Sequence, residues 1–283
     1  MLSPIRKILP PIIEFLKQRL IRFLNPPLLE YAPNGWKTVL ATDTEGWNSS
    51  KFIAEEKDKW EIFCDLVKPP GPLGFSHEEP VLQSTSNLSF HNLHVTYGYV
   101  LGLVGHRKAT LSVLDYGGGL GHYFQLGRAL LPDLELKFHC KEMPALAEAG
   151  KLLNPEVEWF TDDRCLNNTY DLVMISSSLQ YMENWQEQLT AIASSTSDYL
   201  LLTRIPVVHH SDSFVAIQKA YGSKMLHWQF NKSKLLDQIQ KSGLQLIREF
   251  IIGDRPAIKG APEQCELGSW LFRKTPSKNI LQL

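Results

Sequence analysis

The sequence predicts an α/β protein with a Rossmann-like sheet of seven strands, a closing antiparallel hairpin and a mainly helical N-terminal cap. Three observations predict it. A glycine-rich loop, Asp115-Tyr116-Gly117-Gly118-Gly119-Leu120-Gly121, joins an apolar strand-like run at 111–114 to a helical apolar spacing at 122–131, which Pro132 stops. Strand-like and helix-like segments then alternate as far as residue 204, the pattern of a parallel sheet with crossover helices. Finally, strand-like runs at 244–252 and 267–273 follow one another across a Gly/Pro-rich loop with no helix between them. Two consecutive strands without a crossover return antiparallel.

Glycines between a strand and a helix let the backbone turn sharply and leave a ligand room against bare N–H groups. A phosphate-cradling loop would end in Gly-Lys-Ser/Thr, but His122-Tyr123 stands there. A dinucleotide site wants G-x-G-x-x-G, whereas these glycines fall as G-G-G-x-G, with Asp115 two places before the first. This arrangement resembles the first motif of class I S-adenosylmethionine-dependent methyltransferases, D/E-x-G-x-G-x-G. The resemblance implies S-adenosylmethionine as cofactor, with Asp115, Gly117, Gly118, Gly119 and Gly121 around it. A nucleotide or NAD site stays open at this point, because chance turns and other cofactor loops share such glycines.

Residues 134–140 form the second strand candidate, and Glu142-Met143 lies just beyond it. An acidic residue at that strand tip can accept both ribose hydroxyls. Pro144 then suits the first turn of the next helix. A third strand at 157–161 precedes Asp162 and Asp163, and in the resembled family an acidic residue there often contacts the adenine amino group. Residues 170–181, reading YDLVMISSSLQY, are close to the family's fourth-strand signature. This implies that Ser176 and Ser177 form a polar patch under the methionine end. Residues 198–204 supply strand five, and a helix is expected from about Trp228 to Ser242-Gly243, where glycine serves as a C-cap.

Composition sets limits. With 283 residues, 43% hydrophobic, the chain can bury one large core plus a smaller cap. A net charge of −1 gives no electrostatic case for nucleic acid. Cys64, Cys140, Cys165 and Cys265 show neither CxxC pairing nor metal spacing, and buried free thiols suit a reducing, cytoplasmic setting. The first 26 residues read as an amphipathic segment, with Ile13, Leu16, Leu20 and Leu24 on one helical face and Arg19 and Arg22 opposite. Charges and Pro10-Pro11 make it too short to span a bilayer. Packing on the core, contact with a second subunit as a homodimer, and peripheral membrane contact all remain open for it. Residues 27–106 are then expected as a helical cap, with helices at 52–67 and 88–104, residues 107–275 as the catalytic core, and 276–283 as a tail.

The order of these parts resembles a family of predicted methyltransferases encoded among bacterial surface-polysaccharide genes. The likeness covers Gly35-Trp36, Gly46-Trp47-Asn48-Ser49, the glycine loop, Glu142-Met143-Pro144-Ala145-Leu146 and Leu179-Gln180-Tyr181. It implies a small-molecule or glycan-related acceptor. In such a transfer the sulfonium already activates the methyl group, so the protein chiefly positions donor and acceptor. A hydroxyl acceptor needs a general base, and histidine is the usual one near neutral pH. Of nine histidines, His209 after strand five and His91 on the expected lid helix stand where such a base would be. No spacing argues for a metal. Two rival functions remain: an NAD- or nucleotide-sugar-binding enzyme, and a catalytically silent module of the same fold.

Overall fold

In the computed structural model the described residues are 29–40, 46–76 and 85–275. The expected N-terminal amphipathic segment and the C-terminal tail lie outside them. The central sheet runs β4 (Glu158–Phe160), β3 (Glu135–Lys141), β2 (Thr110–Tyr116), β5 (Tyr170–Ser176), β6 (Thr196–Val208), β11 (Glu266–Lys274) and β9 (Leu244–Ile251). β4 to β6 are parallel, while β11 is antiparallel to both β6 and β9. The seven strands and the closing hairpin are therefore as expected.

Apolar residues on both faces of the strands explain why this sheet is buried on both sides. Leu111, Val113, Leu172 and Met174 meet α3 (Leu88–Val104) and α4 (His122–Leu130), whereas Leu114, Val173 and Leu200 meet α6 (Trp185–Ser195) and α7 (Lys232–Lys241). Near-continuous apolar runs are what a doubly covered parallel sheet requires. α5 (Pro144–Leu153) carries its proline at the first turn, as expected.

Three expectations need correction. The helix expected from Trp228 begins only at Lys232, because 228–231 finishes a strand and Asn231 caps the helix by accepting from the Lys234 N–H at 3.1 Å. The helix expected at 52–67 is two, α1 (Ser50–Asp58) and α2 (Trp60–Val67), broken at Lys59. Its stripe of Trp60, Phe63 and Val67 is nonetheless buried. Helix α3 has the expected bounds, yet it packs on the core through Tyr97, Val100, Leu101 and Val104 more than it covers the site.

The larger surprise is a β-arm. β7 (Phe214–Ala220) and β8 (Ser223–Asn231) form an antiparallel hairpin, and β1 (Leu29–Ala32) and β10 (Ile258–Lys259) extend it in the order β8-β7-β1-β10. Tyr221 and Gly222, at φ 53° and 79°, make its two-residue turn. Positive φ at both positions matches the twist of the flanking strands. The end of β8 pairs with Val207 and Val208 of β6, on the side that β5 leaves past Ser176. The N-terminal cap is thus part helix and part sheet.

Within the arm, His227 is buried beneath Tyr181 and packed beside Gln229. Burial lowers its pKa from 6.5 to about 4, against a raising hydrogen bond to the Trp228 carbonyl. The unfolded chain therefore binds the extra proton between pH 6.5 and 4, and folding stability falls as pH drops through that window. The loss should total about 3 kcal/mol, at 1.36 kcal/mol per unit. Urea unfolding of His227→Gln across pH 4–7 should show that part of the slope flattened, and an unchanged slope would remove His227 as its source.

Candidate active site

A cavity of about 930 Å³ opens at the carboxyl ends of the parallel strands, where ligands bind in open α/β sheets. Its size sits at the upper end of the range for ligand pockets, about 300–1,000 Å³. The glycine loop forms one wall. Gly117, Gly119 and Gly121 all adopt positive φ, at 86°, 60° and 86°, so the loop can wind tightly enough to start α4 at His122. A Cβ on Gly117 would lie 2.4 Å from that of Ser178, while Gly118 would collide with the Asp115 carboxylate and the Cys140 thiol. The loop is thereby held against both the β5 end and the sheet interior.

Glu142 closes the next side. Its Oε1 accepts the Gly119 N–H at 3.0 Å and its Oε2 accepts the Met143 N–H at 2.6 Å. Burial raises its pKa, opposed by those two bonds and by the Lys141 charge. A carboxylate offers about four lone-pair sites, so two ribose hydroxyls can still be accepted. The cap meets this corner through Asn48, whose Oδ1 accepts the Ala145 N–H at 3.3 Å in the first turn of α5. That bond satisfies a helix-start donor that has no partner within the helix.

Of the residues expected at the cofactor, Gly117, Gly118, Gly119, Glu142, Met143, Ser176 and Ser177 line the cavity together. Asp115 does not. It is wholly buried beneath the loop, with neither oxygen hydrogen-bonded among the described residues. Burial first, and then the Glu142 charge, push its carboxyl well above the usual range. Gly121 also lies outside the lining; it caps the start of α4, and a Cβ there would lie 2.8 Å from the Asn154 amide nitrogen. Asp162 instead caps a short 3-10 helix and pairs with Arg164, and Asp163 accepts the Tyr116 hydroxyl at 2.5 Å. Neither aspartate is in the lining.

The two histidines expected as base are also outside it. His209 is partly exposed and pairs with Glu266 at 2.9 Å, while the carboxylate of Glu263 accepts the N–H groups of His209, His210 and Ser211. These bonds tie the residues after β6 to Glu263 and to Glu266 of β11. His91 accepts the Leu73 N–H through Nδ1 at 3.1 Å and so fastens the loop before α3. His94, about one helical turn further on, is the lining residue instead. It is buried, and its Nδ1–H donates to the Leu73 carbonyl at 2.8 Å. That bond makes Nε2 the acceptor nitrogen of the neutral ring. The i, i+3 spacing of His91 and His94 was visible in the sequence, but not which of the two the helix turns inward.

The remaining walls are aromatic and come from distant segments. Trp47 of the cap lies 5.1 Å from Phe52, 5.2 Å from Tyr181 and 6.0 Å from Tyr221, centroid to centroid. Tyr221 sits at the tip of the β7–β8 hairpin, so this cluster joins cap, arm and core over the cavity. Tyr181 also donates to the Gln218 side chain at 2.5 Å. Sequence reasoning missed the hairpin residues altogether. The apolar run at 214–217, followed a few residues later by Tyr221-Gly222, was the available signal.

No family model and no curated protein matches this sequence. Solved structures do resemble the fold. A candidate sarcosine dimethylglycine methyltransferase from Galdieria sulphuraria matches with a TM-score of 0.50 and 13% identity, over 79% of this chain and 98% of that one. Magnesium protoporphyrin IX methyltransferase from Synechocystis, with bound S-adenosylhomocysteine, gives 0.46 and 12%, over 79% and 96%. Mitomycin 7-O-methyltransferase gives 0.45 and 14%, over 81% and 70%. The first of these carries the conclusion that this chain has the fold of S-adenosylmethionine-dependent methyltransferases.

Proposed function

We propose that this protein is a methyltransferase that binds S-adenosylmethionine and methylates an oxygen of a small-molecule acceptor. The observation that carries the reading is the joint placement of the glycine loop and Glu142 in one cavity, coupled by the Gly119 N–H bond to Glu142. The residues present suit the cofactor. The loop offers backbone within reach of a ligand, Glu142 offers a carboxylate to the ribose, and Ser176 and Ser177 offer hydroxyls at the β5 end. When bound, the cofactor supplies a methyl group already activated by its sulfonium.

The chain's own residues then position the acceptor and exclude water. The Trp47–Phe52–Tyr181–Tyr221 cluster covers the cavity from the cap side, which protects a transfer step from solvent. We assign the proton-accepting role to Nε2 of His94 rather than to His91 or His209, because His94 is the one of the three that faces the cavity. A glycan-related acceptor rests on the resemblance of the cap segments to the polysaccharide-associated family. The antiparallel β11 between β6 and β9 disfavours an NAD enzyme, whose sheet usually lacks that closure.

Glu142→Ala tests the cofactor half directly. Charge-assisted hydrogen bonds are worth about 1.5–3 kcal/mol, so S-adenosylhomocysteine affinity should fall by about 10- to 150-fold with unfolding behaviour retained. Calorimetric titration reads this. Undiminished affinity would remove Glu142 from the ribose, and tighter binding of NAD than of S-adenosylhomocysteine would replace the reading with its rival.

A further inference from the structure

Resting on the methyltransferase reading, we infer that Gln180 is a positioning residue that fixes the Ser177 hydroxyl as a hydrogen-bond donor into the cavity, where Ser177 takes the carboxylate at the amino-acid end of the cofactor. The inference begins with backbone geometry. Ser177 directly follows β5 and is a non-glycine residue at positive φ, 56°. Such conformations are costly, persist only where the surroundings over-determine them, and cluster at functional sites. Here two bonds hold the residue. Its N–H donates to the Thr203 carbonyl of β6 at 3.0 Å, and its Oγ accepts from Nε2 of Gln180 at 2.9 Å. Ser178 beside it is tied down as well, since its hydroxyl donates to the Tyr116 carbonyl at 2.6 Å.

The turn that follows places the amide. Leu179–Tyr181 is one turn of 3-10 helix, closed by the Tyr181 N–H on the Ser178 carbonyl at 3.1 Å and anchored by Leu179, which is wholly buried in the core. It brings Gln180 back over Ser177, three residues earlier. Gln180 is 3% exposed, and among the described residues its Oε1 has no hydrogen-bond partner. A buried amide with an acceptor left over costs stability, so packing alone does not account for a glutamine here. A serine hydroxyl carries one hydrogen and two lone pairs. The Gln180 N–H occupies a lone pair and turns the hydroxyl hydrogen away from the amide, and Ser177 lines the cavity. Ser176 differs: it shares its hydroxyl with Tyr123 at 2.9 Å, where either oxygen can donate, so its polarity is not set in the same way.

Position along the sheet edge says what meets this donor. β5 stands two strands from β3, with β2 between them, so its end lies about 10 Å from that of Glu142. A ribose and the amino-acid chain on its 5′ carbon span a comparable length. With Glu142 on the ribose, the glycine loop at the end of β2 underlies the middle of the cofactor, and the amino-acid end extends toward β5. That end carries a carboxylate and an ammonium. A hydroxyl held as a donor suits the carboxylate, through a charge-assisted bond. The ammonium only donates, so a donor does nothing for it.

The test uses the full chain, titrated calorimetrically with S-adenosylhomocysteine and with 5′-methylthioadenosine, which keeps the adenosine and the sulfur but lacks the amino acid. The wild type should bind S-adenosylhomocysteine at least about tenfold more tightly, the scale of one charge-assisted bond. Ser177→Ala should remove about tenfold of that affinity and leave 5′-methylthioadenosine within about threefold. Ser177→Gly should bind like Ser177→Ala yet have the higher Tm of the two, because glycine adopts this φ without strain. Gln180→Leu and Gln180→Met keep the bulk but cannot donate, and each should weaken S-adenosylhomocysteine binding by about three- to tenfold. Neither should weaken it further in a Ser177→Ala background, since residues acting through one contact are non-additive. Equal losses for both ligands, undiminished affinity in Ser177→Ala, or a Gln180→Leu effect that survives without the Ser177 hydroxyl would overturn the inference. Failure of both Gln180 variants to fold would also overturn it, by making the glutamine a folding residue. A wild type that binds the two ligands equally would remove the carboxylate contact while the methyltransferase reading stands. Failure of the wild type to bind S-adenosylhomocysteine at all would instead sink the methyltransferase reading beneath it.

Discussion

Gly119→Val should leave a folded protein that binds S-adenosylhomocysteine more than about a hundredfold more weakly, a loss near 2.7 kcal/mol. Gly119 sits at φ 60°, and its N–H is the donor that meets Glu142. A side chain in the left-handed region costs roughly 1–2 kcal/mol, and branching at Cβ restricts it further. A Cβ at this position would meet nothing nearer than the His122 ring, 3.6 Å away. The fold therefore has space for the substitution, and the valine occupies the face of the loop that lines the cavity. Gly117→Val makes a useful contrast, since a Cβ there overlaps Ser178 and should damage the loop itself. Circular dichroism and calorimetry on the two variants separate the effects. A Gly119→Val protein with native affinity would mean that the loop is only a turn.

His94→Ala should lower kcat by about 10²–10⁴ for a hydroxyl acceptor, the usual contribution of a positioned general base, while cofactor affinity stays unchanged. His91→Ala and His209→Ala should each leave kcat within a few-fold, since neither ring lines the cavity. The split between kcat and KM is informative. A base acts on the chemical step, whereas loss of the His94 bond to Leu73 by itself would loosen the loop before α3 and raise KM. An alanine variant with undiminished kcat would leave the transfer to proximity and orientation alone.

Much of the fold was legible because it depends on local order along the chain. The 111–116 strand, the glycine loop and the 122–130 helix follow one another within about 20 residues, and each declares itself by periodicity or by glycine. Glu142 was legible for the same reason, since a strand tip two residues past an apolar run is a sequential position. The closing hairpin of β9 and β11 followed from the absence of a helix between two apolar runs. The assignment of 228–231 to a helix failed because Trp228 and Gln229 pair with β7, and Phe230 and Asn231 with β6, partners that local propensity does not specify. Asp162 and Asp163 adjoin the expected strand end, but Asp162 is taken by Arg164 two residues on, and Asp163 by Tyr116, which is remote in sequence.

What the sequence by itself determined about this protein is the order of its core elements and the cavity wall built from residues near one another in the chain. Only the tertiary structure decided the opposite side. The β7–β8 hairpin reaches that side by pairing with β6 and β1, Tyr221 meets Trp47 across more than 170 positions of sequence, and the turn of α3 selects His94 over His91. The bulge at Arg204, a cavity-lining residue, arises where the β11–β6 pairing shifts register between Gly268 and Trp270, on strands far apart in the chain. The physical reason is the range of the interactions. Helix periodicity, caps and glycine turns are written within a few residues, whereas side-chain direction at a bulge or a sheet divergence depends on which strands come to lie beside it.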